Sequence, residues 1–255
     1  MRAVMAIHDF NAQRLWLEAT LTEGGEIAVT RDQANYLRNV LRLNDGEEIL
    51  VFNGRDGEWR ARLTTIGKRD CTLHLACQTR PQTAPQQLIY LFAPLKRARL
   101  DYMVQKAVEL GVGRLAPVLT HRTVADRVNL DRMRANAIEA AEQCGILSIP
   151  HIDEPQKLEA RLADWPAGTP LIFCDEGAER ANPVDALSNL AARTPAGSQV
   201  AVVIGPEGGF DEAERALLIG QPFVTALSLG PRIMRADTAA VAALTLVNVM
   251  LGDWR

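Results

Sequence analysis

Two stretches near the C-terminal end combine glycine, proline and charge in a way that could hold a small ligand. The first, Ile204-Gly205-Pro206-Glu207-Gly208-Gly209, lies between the apolar run Val200 to Ile204 and a helix opened by Asp211, with Glu214 three residues on. That spacing is a capping box. The glycines permit close backbone approach and unusual φ values. The stretch is neither the G-x-G-x-x-G pattern of dinucleotide sites nor the Walker phosphate loop. Glu207, Asp211, Glu212 and Glu214 surround the helix start with negative charge, which repels a phosphate and favours a neutral or cationic ligand. A tight turn with acidic capping is the other reading of the same residues.

The second stretch runs from Leu227 and Ser228 through Leu229, Gly230, Pro231, Arg232, Ile233, Met234 and Arg235 to Ala236-Asp237-Thr238. Its apolar side chains could clamp a flat ring. Two arginines stand just before a helix that Asp237 is expected to cap. A plain strand–loop–helix connection with surface arginines is the alternative.

These stretches need elements to position them. From Leu88 onward the chain alternates apolar strands with amphipathic helices: strands at 88–93, 115–119, 171–174, 200–204 and a short one at 227–229, helices at 100–110, 131–144, 184–193, from 211, and 237–251. That alternation predicts an α/β fold with a largely parallel, buried sheet. Ligands then bind beyond the carboxyl ends of the strands, where both stretches fall. The first 80 residues read differently. Thr30 caps a short helix with Ala34, Leu37, Val40 and Leu41 on one side, and strands at 48–52, 59–65 and 71–78 are separated by turns at 53–57 and 67–70. A small β-barrel-like module is expected there. The polar, proline-containing segment 81–87 divides it from the rest, so the expected domains are 1–80 and 81–255.

Composition sets limits. Hydrophobic residues make up 47% and charged residues 23% of the 255, ordinary globular usage that argues against disorder. No apolar run approaches the roughly 20 residues of a spanning helix, and Met1 to Phe10 has no secretory h-region, so no membrane association and a cytoplasmic location are expected. Cys71-x-x-His74-x-x-Cys77 has metal-ligand spacing. On an alternating strand, however, Cys71, Leu73, Leu75 and Cys77 share one face and His74 the other, so no metal site is expected. The net charge of −3 hides a division. Residues 81–134 carry 9 basic and 4 acidic side chains, whereas residues 135–255 carry 8 basic and 16 acidic. A basic stretch inside an acidic chain fits a polyanion contact on one face, or simply solvated helix faces. Lys96, Arg97, Arg99 and Arg122 lie after two successive sheet strands, where they could touch phosphates.

Taken together, the two stretches resemble those of SPOUT-class RNA methyltransferases, and more closely the RsmE family of 16S rRNA uridine-N3 methyltransferases. Asn39-Val40-Leu41-Arg42, Gly46 and Val51 to Gly54 are similar to the family's PUA-like N-terminal segment. Lys106 to Val112 with Pro117, Glu142-Gln143-Cys144-Gly145, Gly205 to Gly209 and Leu229 to Arg235 follow in the family's order. Three residues depart from the pattern: Asn35 for a usual His, Ile146 for a usual Arg, and Asp237 for a usual Glu.

The resemblance implies a SPOUT C-terminal domain threaded as a trefoil knot, a PUA-like β-barrel before it, and a homodimer. It implies S-adenosylmethionine held by Ile204, Gly205, Pro206, Glu207, Gly208 and Gly209 together with Leu227, Ser228, Leu229, Gly230, Ile233 and Met234. Arg235 would stabilise charge on the target base, or Asp237 would remove its proton. Arg42, Lys96, Arg97, Arg99, Arg122 and Arg232 would contact 16S rRNA in the small ribosomal subunit. A SPOUT methyltransferase acting on another RNA, such as tRNA or large-subunit rRNA, is the nearest rival among enzymes, and a non-catalytic RNA-binding or ribosome-assembly protein on the same fold is the rival of a different class. A dinucleotide oxidoreductase is disfavoured by the missing glycine fingerprint.

Overall fold

A computed structural model describes residues 12–65, 70–125, 127–178 and 182–254. The N-terminal segment 1–11 and most of the turn expected at 67–70 lie outside them. The chain forms two compact units: one of residues up to Ala84 together with Ala141–Ser148, the other of Pro85–Ala140 and Ile149–Arg255.

The first unit is built on five strands: β1 (Arg14–Trp16), β2 (Glu26–Ala28), β3 (Glu48–Phe52), β4 (Glu58–Thr65) and β5 (Cys71–Arg80), in the order β1-β3-β4-β5-β2. β1 runs parallel to β3, and the other pairs are antiparallel. Both end strands send side chains, Leu15 and Ile27, into one core with Ile49, Val51, Leu63 and Leu73, so the sheet curls around it. Between β2 and β3 lies α1 (Arg31–Asn35), which continues as a π-helical turn through Val40. Thr30 caps its start, as the sequence predicts, and forms a reciprocal capping box with Gln33.

Cys71, Leu73 and Leu75 are buried on β5 while His74 faces solvent. Cys77 departs from the expected alternation and is exposed, because the β4–β5 register shifts between Arg60 and Ala61. Under the sheet, Glu58 accepts from Arg14 Nε at 2.9 Å and Arg80 Nη2 at 2.6 Å, all three side chains being largely buried. Arg80 also donates to the Gly145 carbonyl at 2.8 Å, and Glu142 accepts the Trp16 N–H at 2.8 Å. The Glu142 to Gly145 stretch thus joins residues 141–148 to this unit.

The second unit is α/β. Its strands are β6 (Leu88–Phe92), β7 (Arg114–Leu119), β8 (His151–Ile152), β9 (Gln156–Lys157), β10 (Leu171–Cys174), β11 (Val200–Ile204) and β12 (Val224–Leu227). All pair in parallel, in the order β12-β10-β11-β6-β7-β8, with β9 added to β7. β6 and β11 are buried at every residue, as strands covered on both faces must be.

One face, with Leu91, Val203, Phe173 and Leu171, packs against Leu158 and Leu162 of α4 (Leu158–Ala163) and Leu218 of α6 (Glu212–Ile219). Tyr90 points the other way, and its hydroxyl donates to Met103 Sδ of α2 (Arg97–Glu109) at 3.1 Å. On that side α2 and α5 (Pro183–Ala191) pack against α7 (Ala236–Met250), whose Asn248 amide donates to the Leu110 carbonyl at 2.7 Å. The remaining helix, α3 (Leu130–Cys144), starts at Asn129, whose side chain accepts the Arg132 N–H at 2.9 Å.

Two expectations are corrected. The last strand is Val224–Leu227, and residues 228–235 form a loop. Asp237 does not cap α7: the helix begins at Ala236 with Arg235 as N-cap, which places Asp237 in the first turn. Its carboxylate accepts the neighbouring Thr238 N–H at 2.9 Å.

Candidate functional site

The carboxyl ends of β10, β11 and β12 lie side by side, and the loops leaving them enclose a cavity of about 620 Å³ within the second unit. Its first wall is Ile204 to Glu207 and Gly209. Gly209 has φ +70°, and its N–H donates to the Pro206 carbonyl at 2.9 Å, which closes the loop as a tight turn. Gly205 is constrained by packing instead. A Cβ there would lie 2.6 Å from the Phe210 ring, which itself stands edge-on against Phe173. Asp211 and Glu214 form the reciprocal capping box that starts α6 directly after this wall.

The second wall is Leu227 to Met234, followed by Arg235 at the helix start. Leu227 and Ser228 are buried, whereas Ile233 is 92% exposed. Gly230 has φ +105°, a conformation that only glycine adopts without strain.

Sequence reasoning did not find the third wall, Cys174 to Gly177 at the end of β10. Asp175 is buried and held by Arg215 of α6, with Nε and Nη2 within 3.1 Å of the carboxylate. Asp175 also accepts the Gly177 N–H at 2.9 Å, while Arg215 donates to the Gly177 carbonyl. The turn is therefore pinned from both sides. Burial pushes the Cys174 thiol up to about 12, so it stays protonated and serves as apolar wall. Acidic residues immediately beyond the apolar run Leu171 to Cys174 were the available signal.

Of the residues expected to hold a ligand, the structure brings together Ile204 to Glu207, Gly209, Leu227 to Gly230, Ile233 and Met234 around one cavity. Gly208 lies outside the lining, with its carbonyl turned to Arg122 Nη1 at 2.8 Å. Arg235, Arg232 and Arg99 line the cavity, and Asp237 does not. Arg99 pairs with Glu207. Lys96, Arg97, Arg232 and Arg235 make no ion pair with another described residue. Arg42, in the first unit, is exposed and holds φ 58°, uncommon for a residue with a Cβ.

Comparison with known proteins fixes the family. Residues 82–248 match the RNA methyltransferase domain, and residues 29–75 match the RNA methyltransferase PUA domain. A Synechocystis protein named ribosomal RNA small subunit methyltransferase E is 31% identical over 253 residues, covering 97% of this chain and 79% of that protein. The chain belongs to the ribosomal RNA small subunit methyltransferase E family. A Rickettsia conorii relative of that name is 28% identical across 93% of this chain and 95% of its own length.

Solved structures similar to this family member agree in fold. A Neisseria gonorrhoeae ribosomal RNA small subunit methyltransferase E bound to S-adenosylmethionine superposes with a TM-score of 0.78 at 27% identity, covering 96% of this chain and all of that one. A Legionella pneumophila methyltransferase in complex with the same cofactor gives 0.80 at 27% identity, covering 93% and 97%. The present family member is accordingly an RNA methyltransferase with a PUA-like N-terminal unit and an α/β transferase unit.

Proposed function

We propose that this protein transfers a methyl group from S-adenosylmethionine to N3 of a uridine in the decoding region of 16S rRNA, acting on the assembled small subunit. The observation that carries the reading is the cavity at the carboxyl edge of the sheet, lined by both glycine-containing loops of a family transferase domain. Its volume falls within the roughly 300–1,000 Å³ of small-molecule sites. Glycine-rich backbone and apolar side chains such as Leu227 and Leu229 suit an adenine and ribose. Glu176 also lines the cavity, close to the Gly209 turn, and offers a carboxylate that a cationic sulfonium can face.

S-adenosylmethionine supplies a methyl group already activated on sulfur. The protein's own task is to align the target ring and manage the N3 proton. Arg235, at the cavity with no ion-pair partner among the described residues, is the group that stabilises negative charge on the uracil as the N3 proton passes to water. Asp237, the alternative base, is engaged with the Thr238 N–H away from the lining.

In this reading residues 81–255 form the transferase domain and residues 1–80 an RNA-binding module. Lys96, Arg97, Arg99 and Arg232 would contact phosphates beside the cavity, with Arg42 contributing from the first unit. The enzyme would work as a cytoplasmic homodimer, a second copy covering apolar side chains such as Ile233, Tyr102 and Val249 that are exposed in the single chain. Among the described residues no helix is long and apolar enough to cross a membrane.

The test is transfer from labelled S-adenosylmethionine to small subunits taken from cells that lack the enzyme. Label in 16S rRNA is expected. Transfer only to large subunits or tRNA would replace the substrate, and failure to bind the cofactor would remove the reading.

A further inference from the structure

Beyond the cavity walls, the turn after β7 grips the first wall from outside. Thr120 and Thr123 close that turn, with the Thr123 N–H donating to the Thr120 carbonyl at 3.1 Å and the Thr120 N–H donating to Thr123 Oγ1 at 2.9 Å. His121 and Arg122 stand at its tip, and three bonds run from them to residues 208–214. Arg122 Nη1 donates to the Gly208 carbonyl at 2.8 Å. The His121 N–H donates to Glu214 Oε1 at 2.8 Å, and the His121 ring bonds the Asp211 carboxylate.

Glu214 and Asp211 are not free to follow a moving loop, because each caps the other's backbone N–H, at 2.8 and 3.1 Å. Glu214 is also buried. The turn therefore fixes both Gly208 and Asp211, the two ends of the short bend that carries Gly209. What remains between the strand end and these anchors is Gly205 to Glu207, all three lining the cavity. Arg122 has one guanidinium N–H bonded to a backbone carbonyl of the wall, a contact that Lys96 and Arg97 do not make.

We propose that His121 and Arg122 are positioning residues that hold the Gly205–Gly209 wall in its ligand-binding shape, so that they set affinity for the cofactor rather than for RNA phosphates. The inference rests on the cavity being the S-adenosylmethionine site. It assigns Arg122 a part different from the phosphate contact expected from its charge. The ring of His121 faces the carboxylates of Asp211, at the start of α6, Glu214 of α6 and Glu159 of α4, and all three favour its cationic form. His121 thus strengthens the grip when protonated.

The test compares steady-state constants of wild type, Arg122→Ala, Arg122→Lys and His121→Ala, with S-adenosylmethionine and unmethylated small subunits varied in turn. Cofactor binding by the wild type, measured directly by calorimetry, comes first; its absence removes the underlying reading and not the latch alone. For Arg122→Ala the expected result is a cofactor KM raised about two- to fivefold, the loss of one exposed hydrogen bond from a charged donor. The kcat, the KM for subunits and its salt dependence should stay within about twofold. Arg122→Lys keeps a donor and should recover most of the cofactor affinity, which also separates the grip from general misfolding. His121→Ala should raise the cofactor KM as well. An unchanged cofactor KM with weakened subunit binding and a shallower salt slope would make Arg122 a phosphate contact and overturn the proposal. Equal loss in both constants, or a lysine variant no better than alanine, would overturn it too.

Discussion

Exchanging Gly209 for alanine should damage cofactor binding, while the same exchange at Gly208 should not. The two glycines are neighbours in one loop, yet they differ in backbone and surroundings. Gly209 sits at φ +70°, where a Cβ crowds the following carbonyl. Gly208 has no positive φ, and a Cβ there would meet only Arg122 side-chain atoms at 3.5 and 3.7 Å, which is ordinary packing distance. At Gly209 a Cβ would also come within 2.5 Å of Glu176 Oε1, but that carboxylate is exposed and can swing aside. The backbone cost therefore dominates, about 1–2 kcal/mol for an L residue held in the left-handed region.

If the loop must keep that shape to bind, the cost appears in the dissociation constant as about five- to thirtyfold, at ~1.4 kcal/mol per decade. Calorimetric titration of S-adenosylmethionine into each variant reads the effect, with circular dichroism confirming that both fold. Gly208→Ala should remain within about twofold of wild type, the usual range for a surface change without strain. Equal affinities for the two variants, or a larger loss at Gly208, would refute the reasoning from backbone conformation.

Other expectations follow from single features. Glu58→Ala leaves Arg14 and Arg80 without their buried carboxylate, so the protein should lose about 3–5 kcal/mol of stability in denaturant titration; an unchanged midpoint would contradict the buried network. Arg215→Ala should loosen the Asp175 turn and raise the cofactor KM, with Arg215→Lys intermediate because it restores charge but not the two-point grip; a lysine variant equal to wild type would show that charge alone suffices. The hydrogen bond that the His121 ring donates to the Asp211 carboxylate raises the His121 pKa, and the Glu214 backbone N–H followed by His121 lowers that of Asp211. Their mutual stabilisation is therefore fully present between the ordinary carboxylate and imidazole ranges. It fades as pH rises through the raised imidazole value, and on the acid side as pH falls through the lowered carboxylate value. Cofactor affinity should decline correspondingly above neutral pH in wild type and lose that component in His121→Ala. Removing Lys96 and Arg97 together should lower the salt slope of subunit binding by about 0.7–0.9 for each phosphate no longer neutralised; an unaltered slope would place RNA elsewhere.

Local signals in the sequence reach far into the fold. The apolar runs at Leu88, Val200 and Leu171 are strands of the buried sheet, Thr30 caps its helix as expected, and the spacing Asp211–Glu214 is a reciprocal capping box. Both ligand-facing loops were legible because glycine and proline mark where the backbone must turn tightly or be approached closely. The third wall was not, because it arises from strand order: β10 lies between β11 and β12 although long helical connections separate all three in sequence, and Cys174 to Gly177 carry no glycine pattern of their own. The role of Glu142 and Gly145 was hidden for a similar reason, since their partners Trp16, Arg14 and Arg80 belong to distant parts of the chain. At α7 the sequence pointed to Asp237 as cap because Asp is the better capping residue; the helix instead takes Arg235 as its N-cap, and that arginine lines the cavity. Charge alone could not distinguish Arg122, bonded to a loop carbonyl, from Lys96 and Arg97.

Methyl transfer to uridine N3 is tested by digesting 16S rRNA from treated small subunits to nucleosides and identifying the labelled product by mass and chromatographic mobility. N3-methyluridine is expected, formed by wild type and strongly reduced by Arg235→Ala. A methyl group on another base or on ribose, or on N3 at an undiminished rate in that variant, would contradict it.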